Sequence, residues 1–463
     1  MSQSRKLIKN TLVYAIGNIG SKVLAYVMVL VYSHFITADD LGYYDLILTT
    51  IAMIQPIIIF QISDGVYRFV ITSDEDERKK VFATSFKFLC LTTFISEGIF
   101  LLINLKYDLR FANWISLYLF TTLFYFYFHD AIRACGESRK YALIGILNSV
   151  IMLLVEIVGL FLLHIGVLAL ISANVVSMAI CIIIMLVQQP QFHFLLKTKF
   201  DYSIFKELIA YSAPLVPNTI CWWIVNSSDR YIILGFLGSQ FNGIYAISNK
   251  FPTILTTITG IFYLAWQEAA IKEYNSPNRD FFFSSIFKKY YTLLLSLCFV
   301  AIPMTHIVIE SFIGNDYKSA WTYSGFLYLG AVFSALCSFL GLGYQISKET
   351  RRSVITTVFA ACINVLINIV LIRIIGLQAA SLSTFIAYLF LFSIRIKHTK
   401  RYFNLHVNWV RFCIMLGSVL ITLFVTNIFR NFMFSVTTSV VGCVYVLIIN
   451  KELFIPILNK IRG

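Results

Sequence analysis

Any chemistry in this 463-residue chain has to come from the few charged side chains set inside its long apolar stretches. The embedded cations are Lys22, Arg68, Lys87, Arg230 and Lys250, and the acids there include Asp64, Asp130, Glu156 and Asp229. An ionised group at the centre of a membrane helix costs about 2.5–3.5 kcal/mol on the insertion scale, so a retained one faces a wet cavity or a partner. Lys22 lies near the middle of its stretch and Lys250 well inside another, neither with an acid one helical turn away. Both suit a cavity that holds an anion. Arg68 follows Asp64 by four residues and Arg230 adjoins Asp229, so pairing or snorkelling competes with anion binding at those two. Lys87, one or two turns into its span, is expected to snorkel. Asp130 and Arg133 are three apart at the close of a stretch and can pair, or serve a substrate. Glu156 is either a proton-linked site or the neutraliser of a cation on another helix. The candidates for anion binding are therefore Lys22, Lys250, Arg68, Arg230 and Arg133. Those for a coupling ion or a charge pair are Asp64, Asp130, Glu156 and Asp229.

Other chemistries lack their residues. Gly17-Asn18-Ile19-Gly20-Ser21-Lys22 misses the spacing of a phosphate loop and the strand before it. The seven histidines have no metal-ligand spacing, no paired carboxylates stand out, and no cofactor motif occurs. The nine cysteines, an odd number lying almost wholly within apolar stretches, read as small buried residues without a disulfide framework. An enzyme is disfavoured, and neither a metal nor a cofactor is expected.

The elements that position these charges are membrane helices. A hydrocarbon core of about 30 Å takes about 20 apolar residues as a helix. Fourteen such stretches fall near 11–35, 44–68, 82–104, 113–132, 141–163, 167–188, 207–235, 242–266, 286–313, 320–345, 353–374, 377–396, 409–428 and 432–450. The fold class is an all-α polytopic membrane protein. With the amino terminus inside, alternate breaks carry 27 of the 37 Lys and Arg, among them a loop assigned to 395–411. The opposite side has Lys106, Arg110, Lys318, Arg373 and Arg430. Basic residues are retained in inward loops, so both termini are placed in the cytoplasm. The net charge of +14 is the sum of those loops and argues for topology and anionic lipid rather than nucleic acid. The first stretch follows Arg5, Lys6 and Lys9 like a signal peptide, but its length and the lack of a small-residue cleavage site make it a retained anchor. The longest soluble pieces, about twenty residues, are too short for a catalytic domain. Aromatics crowd Tyr118–Phe128 and Trp222-Trp223, as interface anchors or packing, with sugar stacking the lesser reading.

A weak duplication is visible. Asp40-Leu41-Gly42-Tyr43-Tyr44 is echoed 201 residues later by Phe241-Asn242-Gly243-Ile244-Tyr245, and His164-Ile165-Gly166-Val167-Leu168-Ala169 is echoed 210 later by Ile374-Ile375-Gly376-Leu377-Gln378-Ala379. Two six-helix bundles pointing the same way are expected: 1–189, then a cytoplasmic linker 190–206, then 207–398, with two additional helices and a cytoplasmic tail in 399–463.

At this point the chain resembles a known group. Phe205-Lys206-Glu207-Leu208-Ile209-Ala210-Tyr211-Ser212-Ala213-Pro214-Leu215-Val216-Pro217 is similar to the entry to the second half of the oligosaccharide (O-antigen-type) flippases of polysaccharide biosynthesis. Ser228-Asp229-Arg230-Tyr231, Gly243-Ile244-Tyr245-Ala246 and Lys250-Phe251-Pro252 follow in that family's order, and Asp64-Gly65-Val66-Tyr67-Arg68 and Arg133-Ala134-Cys135-Gly136-Glu137 look like its first-half signatures. The resemblance implies a MATE-like V of two six-helix bundles plus two C-terminal helices. It also implies export of undecaprenyl-diphosphate-linked oligosaccharide across the bacterial inner membrane, with a polysaccharide polymerase and a chain-length regulator as partners. Ser21-Lys22-Val23-Leu24 looks like a Ser-Arg-x-Leu pattern of the related lipid II flippases, whose cation lines the cavity; here Lys stands for Arg, a point charge in place of a bidentate fork. Lys250 falls roughly where another cavity arginine stands in those relatives. A multidrug exporter of the same superfamily is the first rival. A membrane-embedded polymerase is the second, disfavoured by short outward loops.

Overall fold

The computed structural model describes residues 20, 23–71, 73–189, 192–347 and 349–451, the side chains of Ser138, Leu264, Glu268 and Thr350 excepted. Their regular structure is all helix, with no strand among the described residues. In chain order the helices are α1 (Val23–Tyr32), α2 (Ala38–Ile58), α3 (Ile62–Val70), α4 (Glu75–Tyr107), α5 (Ala112–Ala134), α6 (Ser138–Ile157), α7 (Val167–Gln188), α8 (Tyr202–Ser212) and α9 (Val216–Ser227). Then come α10 (Asp229–Phe236), α11 (Ser239–Glu273), α12 (Arg279–Phe312), α13 (Trp321–Ile346), α14 (Thr350–Ile375), α15 (Gln378–Thr399), α16 (Trp409–Phe429) and α17 (Phe432–Ile449). Twelve of the spans so formed are long and apolar enough to cross a membrane. The fourth expected span is present as α5, 23 residues long, but its tyrosines, His129, Asp130 and Arg133 make it too polar to count among the twelve. The first expected span lies partly outside the described residues, which show its α1 portion.

Two spans drawn as single helices are broken. The stretch 44–68 is α2 followed by α3, parted by Phe60 (φ 49) and Gln61 (φ 54) in the left-handed region. Pro56 lacks an N–H and its ring crowds the carbonyl four residues back, which loosens the turn before the break without fixing where the break falls. The stretch 207–235 is α8, a 3-10 turn at Ala213–Leu215, α9 and α10, with Pro214 and Pro217 at the joints.

The described residues divide into two compact units, one of those up to Ile36 with Tyr43–Trp223, the other of Thr37–Gly42 with those from Ile224 onward. In the first, α5 packs against α3 and α7. The segment assigned as a cytoplasmic linker, 190–206, packs on this unit as far as it is described. Phe192 packs on Phe82 and Phe128, the Thr84 hydroxyl accepts from the Asp201 amide at 3.1 Å, and Lys87 Nζ donates to the Thr198 carbonyl at 2.8 Å. Lys87 thus fastens a loop, where snorkelling was expected. In the second unit α13 is buried along nearly its whole length among α11, α12 and α15.

The final pair of helices is joined to α12 at two depths: His306 Nδ1 to Ser435 Oγ at 2.8 Å, and Asn450 Nδ2 to Ser296 Oγ at 2.9 Å. Between them Gly442 lets α17 lie close against Phe299 and Val300.

The duplicated turns share one backbone conformation. Gly166 has φ 57, ψ −135 and Gly376 φ 59, ψ −141, a region closed to residues with a Cβ. In each turn the alanine three residues on donates its N–H to the glycine carbonyl at 3.0 Å.

Candidate functional site

In the second unit the chemistry gathers on Asp229, at the start of α10. Its carboxylate is buried, 1% exposed, where an unpartnered charge would be costly. Three neighbouring helices supply donors. Tyr245 of α11 donates its hydroxyl to Oδ2 at 2.7 Å, Thr384 of α15 donates to the same oxygen at 3.0 Å, and Asn368 of α14 donates Nδ2 to Oδ1 at 3.0 Å. Asn364, one turn before Asn368, has its amide nitrogen 3.3 Å from Oδ1 when that nitrogen faces the carboxylate. The Asn368 Oδ1 atom is buried without a hydrogen-bond partner. A carboxylate and an orphaned amide oxygen beside a threonine hydroxyl are the donor set of a hard, oxygen-seeking monovalent or divalent cation. No cluster of three or more His, Cys, Asp and Glu that could hold a metal occurs among the described residues.

Arg230, next in the chain, extends the network. Its Nη1 donates to the Asn226 carbonyl at 2.8 Å, and its guanidinium lies 5.5 Å from the centroid of the Tyr245 ring. The two charges thus share Tyr245, which donates to one and stacks under the other. The Tyr388 hydroxyl donates to Asn226 Oδ1 at 2.7 Å and extends the network. Lys250 is half-buried on α11, two residues before Pro252, which interrupts the helix's hydrogen bonding at that level.

In the first unit α3 is amphipathic. Ile62, Gly65, Val66 and Val70 are buried, while Asp64 and Arg68 are exposed on the opposite face. Asp64 accepts from Gln61 Nε2 at 2.9 Å, so the left-handed break before α3 also orients this acid. Gly65 admits α8 closely, against Leu208 and Ser212. Arg133 of α5 lays its guanidinium over the Tyr67 ring at 4.8 Å, and Asp130 lies within electrostatic reach of both Arg133 and Asp64. Asp64, Asp130 and Arg133 therefore form one neighbourhood where α3 meets α5, and Arg68 is exposed one turn beyond Asp64 on α3. Glu156 is separate: fully buried on α6, it lies near Tyr44, whose hydroxyl accepts from Asn174 Nδ2 at 2.8 Å. Lys22 lies outside the described residues.

One residue was misread from sequence and two were missed. Arg395 was counted in an inward loop, but α15 continues to Thr399 and Arg395 is 1% exposed inside the second unit. It donates to the Cys337 carbonyl at 2.9 Å, to Thr357 at 3.1 Å and to Ser353 at 3.3 Å, and lies 5.8 Å from the Tyr344 ring centroid. Asn368 and Thr384 were not singled out; a pair of asparagines at 364 and 368, four apart within an apolar span, was the available signal. Most aromatics of 118–128 serve packing: Tyr118, Phe124, Tyr125, Tyr127 and Phe128 are buried, with Tyr127 bonded to Ser85 at 2.7 Å, while Phe120 and Phe126 are exposed.

Broken helices with buried polar networks near Pro and Gly recur in membrane folds built on duplicated halves. The chain is similar to the lipid II flippase MurJ in an inward closed conformation (TM-score 0.71, 14% identity, covering 96% of this chain and 100% of that one). It is similar to an inward-facing multidrug resistance MATE family transporter of the MOP superfamily (TM-score 0.64, 13% identity, covering 85% and 95%). It is also similar to a mutant of the Vibrio cholerae MATE transporter VcmN (TM-score 0.62, 9% identity, covering 86% and 96%). The fold is that of the MATE-like transporters. Residues 7–271 match the model of a family described as polysaccharide biosynthesis protein, and the chain belongs to that family. No curated protein matches it in sequence.

Proposed function

We propose that this protein flips undecaprenyl-diphosphate-linked oligosaccharide units from the inner to the outer leaflet of the bacterial cytoplasmic membrane, for surface polysaccharide assembly. The observation that carries the reading is the family match together with a flippase-like fold over nearly the whole chain. The diphosphate needs cations, and Lys22, Lys250, Arg68, Arg133 and Arg230 are the residues proposed to meet it. An ammonium 4 Å from a phosphate oxygen gains about 4 kcal/mol at an effective dielectric near 20, enough to hold the group and modest enough to release it. The headgroup crosses in water by alternating access while the polyprenyl tail stays in lipid.

Moving negative charge outward across an inside-negative membrane is downhill by about 2.3 kcal/mol per charge per 100 mV, so where the protein's own cations do not move with the headgroup the potential alone biases export without ATP. Among the coupling-ion candidates Asp229 is favoured over Asp64, Asp130 and Glu156. Its oxygen-rich cage with an orphaned Asn368 oxygen suits a cation that binds and leaves. No catalytic group is assigned, since the chain acts as a transporter.

A deletion strain tests the reading. Undecaprenyl-diphosphate oligosaccharide should accumulate on the inner leaflet and the surface polymer should disappear, while extracts still build the lipid-linked unit. Extracts unable to build it would make the protein an enzyme and end the proposal. The similarity to multidrug transporters supports one rival, a drug exporter; overexpression that raises drug tolerance without affecting polymer would favour it.

A further inference from the structure

The segment between α7 and α8 has two unlike faces, both within the first unit. On one, Phe192 and Leu195 are buried, 4% and 3% exposed, and the backbone at Thr198 and Asp201 is bonded to Lys87 and Thr84 of α4. On the other, Phe194, Leu196, Phe200 and Tyr202 are exposed, Leu196 by 78% and Tyr202 by 72%. His193, Lys197 and Lys199 are exposed among them. Four large apolar or aromatic side chains and three basic ones thus share the strip 193–202, whose one acid is Asp201.

The anchors set its depth. Thr84 and Lys87 follow Val81, where the apolar run of α4 begins after Lys79 and Lys80. At a rise of about 1.5 Å per residue they lie about 5 and 9 Å along the helix from that start. The segment is tied at this level, and it joins the ends of two candidate spans, Val167–Gln188 and Tyr202–Ser227. It therefore runs along the membrane boundary, on the side where the basic loops fall.

At that boundary, side chains such as Leu196, Phe200 and Tyr202 leave water for the glycerol and upper acyl region, as the apolar face of an interfacial segment does. The lysines between them then stand at the level of the phosphates. Asp201 does not neutralise them, because its carboxylate accepts the Ser203 and Ile204 amides at 2.9 and 3.2 Å and caps α8. Neither Lys197 nor Lys199 has a carboxylate within ion-pair distance among the described residues. The neighbouring Lys79 is matched already: it pairs with Asp76 at 3.0 Å, with its Nζ 5.6 Å from the Phe194 ring centroid. Two uncompensated ammonium groups beside an apolar strip fit an amphiphile with an anionic head.

We propose that residues 193–202 form a docking strip for anionic phospholipid headgroups of the inner leaflet, with Lys197 and Lys199 on the phosphates and Leu196, Phe200 and Tyr202 among the upper acyl groups. The strip's role does not depend on what the protein carries. To test it, the full-length protein is reconstituted in vesicles holding photoactivatable phosphatidylglycerol or, at the same mole fraction, photoactivatable phosphatidylcholine, then illuminated and digested. Peptides from 193–202 should carry several times more of the first lipid than of the second. Lys197→Gln with Lys199→Gln should bring that ratio near one without lowering phosphatidylcholine attachment, because the apolar side chains remain. Both lysines are exposed, so the double variant leaves the buried face intact. Equal attachment of the two lipids to the native protein would overturn the proposal. Attachment of neither would put the strip in water or under another protein, and would overturn it as well. So would a ratio unchanged in the double variant, since the preference would then arise elsewhere.

Discussion

Asp229 and Lys250 show how differently two embedded charges can be treated by one set of helices. Asp229 is met from three sides by hydroxyl and amide donors, whereas Lys250 sits half-buried beside a proline-weakened turn. Asp229→Asn keeps the size and much of the hydrogen bonding but removes the charge. It should reach the membrane at normal abundance and lose any rise in melting temperature that sodium gives the native protein over choline. An undiminished rise in the variant would move the coupling site elsewhere. Lys22→Ala and Lys250→Ala should each abolish polymer export without lowering membrane abundance, because losing the cation also removes its insertion cost. Lys22→Arg should retain much of the activity, and Lys→Glu should be at least as damaging as Ala at both positions. Normal export by both Ala variants at normal abundance would leave the cationic path without support.

Arg395 acts between elements. Its guanidinium ties α15 to α13 through Cys337 and to α14 through Ser353 and Thr357, and Gly341 leaves it room. All its hydrogen-bond acceptors are neutral, so most of what it gains is offset by desolvation. Arg395→Met fills similar space and should shift the melting temperature in detergent only slightly, in either direction. Arg395→Ala leaves a cavity and should cost about 2–4 kcal/mol, read as a clear drop in melting temperature. A Met variant as unstable as Ala would show that the hydrogen bonds, and not the packing, hold the three helices together. Arg395 also shows why sequence misplaced it. A cation near the end of an apolar run reads as the start of a loop, and only the neutral acceptors on two other helices reveal that the run continues.

For the whole molecule the basic-loop asymmetry makes a topology that fusions can check. Reporters after Lys80, Lys140, Lys199, Lys289, Arg352 and Arg401 should report the cytoplasm, and those after Arg110, Gly238 and Asp316 the outside; two reversals among these would sink the arrangement. Most spans were legible because hydrocarbon thickness imposes a length and composition that hardly any other environment demands. The breaks within 44–68 and 207–235 were less so: Pro56, Pro214 and Pro217 mark where a helix weakens, but the left-handed Phe60 and Gln61 follow from packing the sequence does not display. The glycines at 42, 166, 243 and 376 were found through their repetition, and their geometry explains why no larger residue could stand there. The cage around Asp229 was half-visible: its acid stood out, while Asn368 and Thr384 are ordinary polar residues until folding brings them to it.

The attachment of the last two helices has a consequence for how the chain is made. Ser296 and His306 leave the ribosome more than a hundred residues before their partners Asn450 and Ser435. Until then α12 must wait in the bilayer with two polar side chains facing places that α17 will later fill. A chain stopped after α15 would carry that unfinished surface permanently. It should be cleared by membrane proteases rather than persist as a smaller transporter, and pulse-chase decay of a chain ending at Tyr402 against full-length protein would show it.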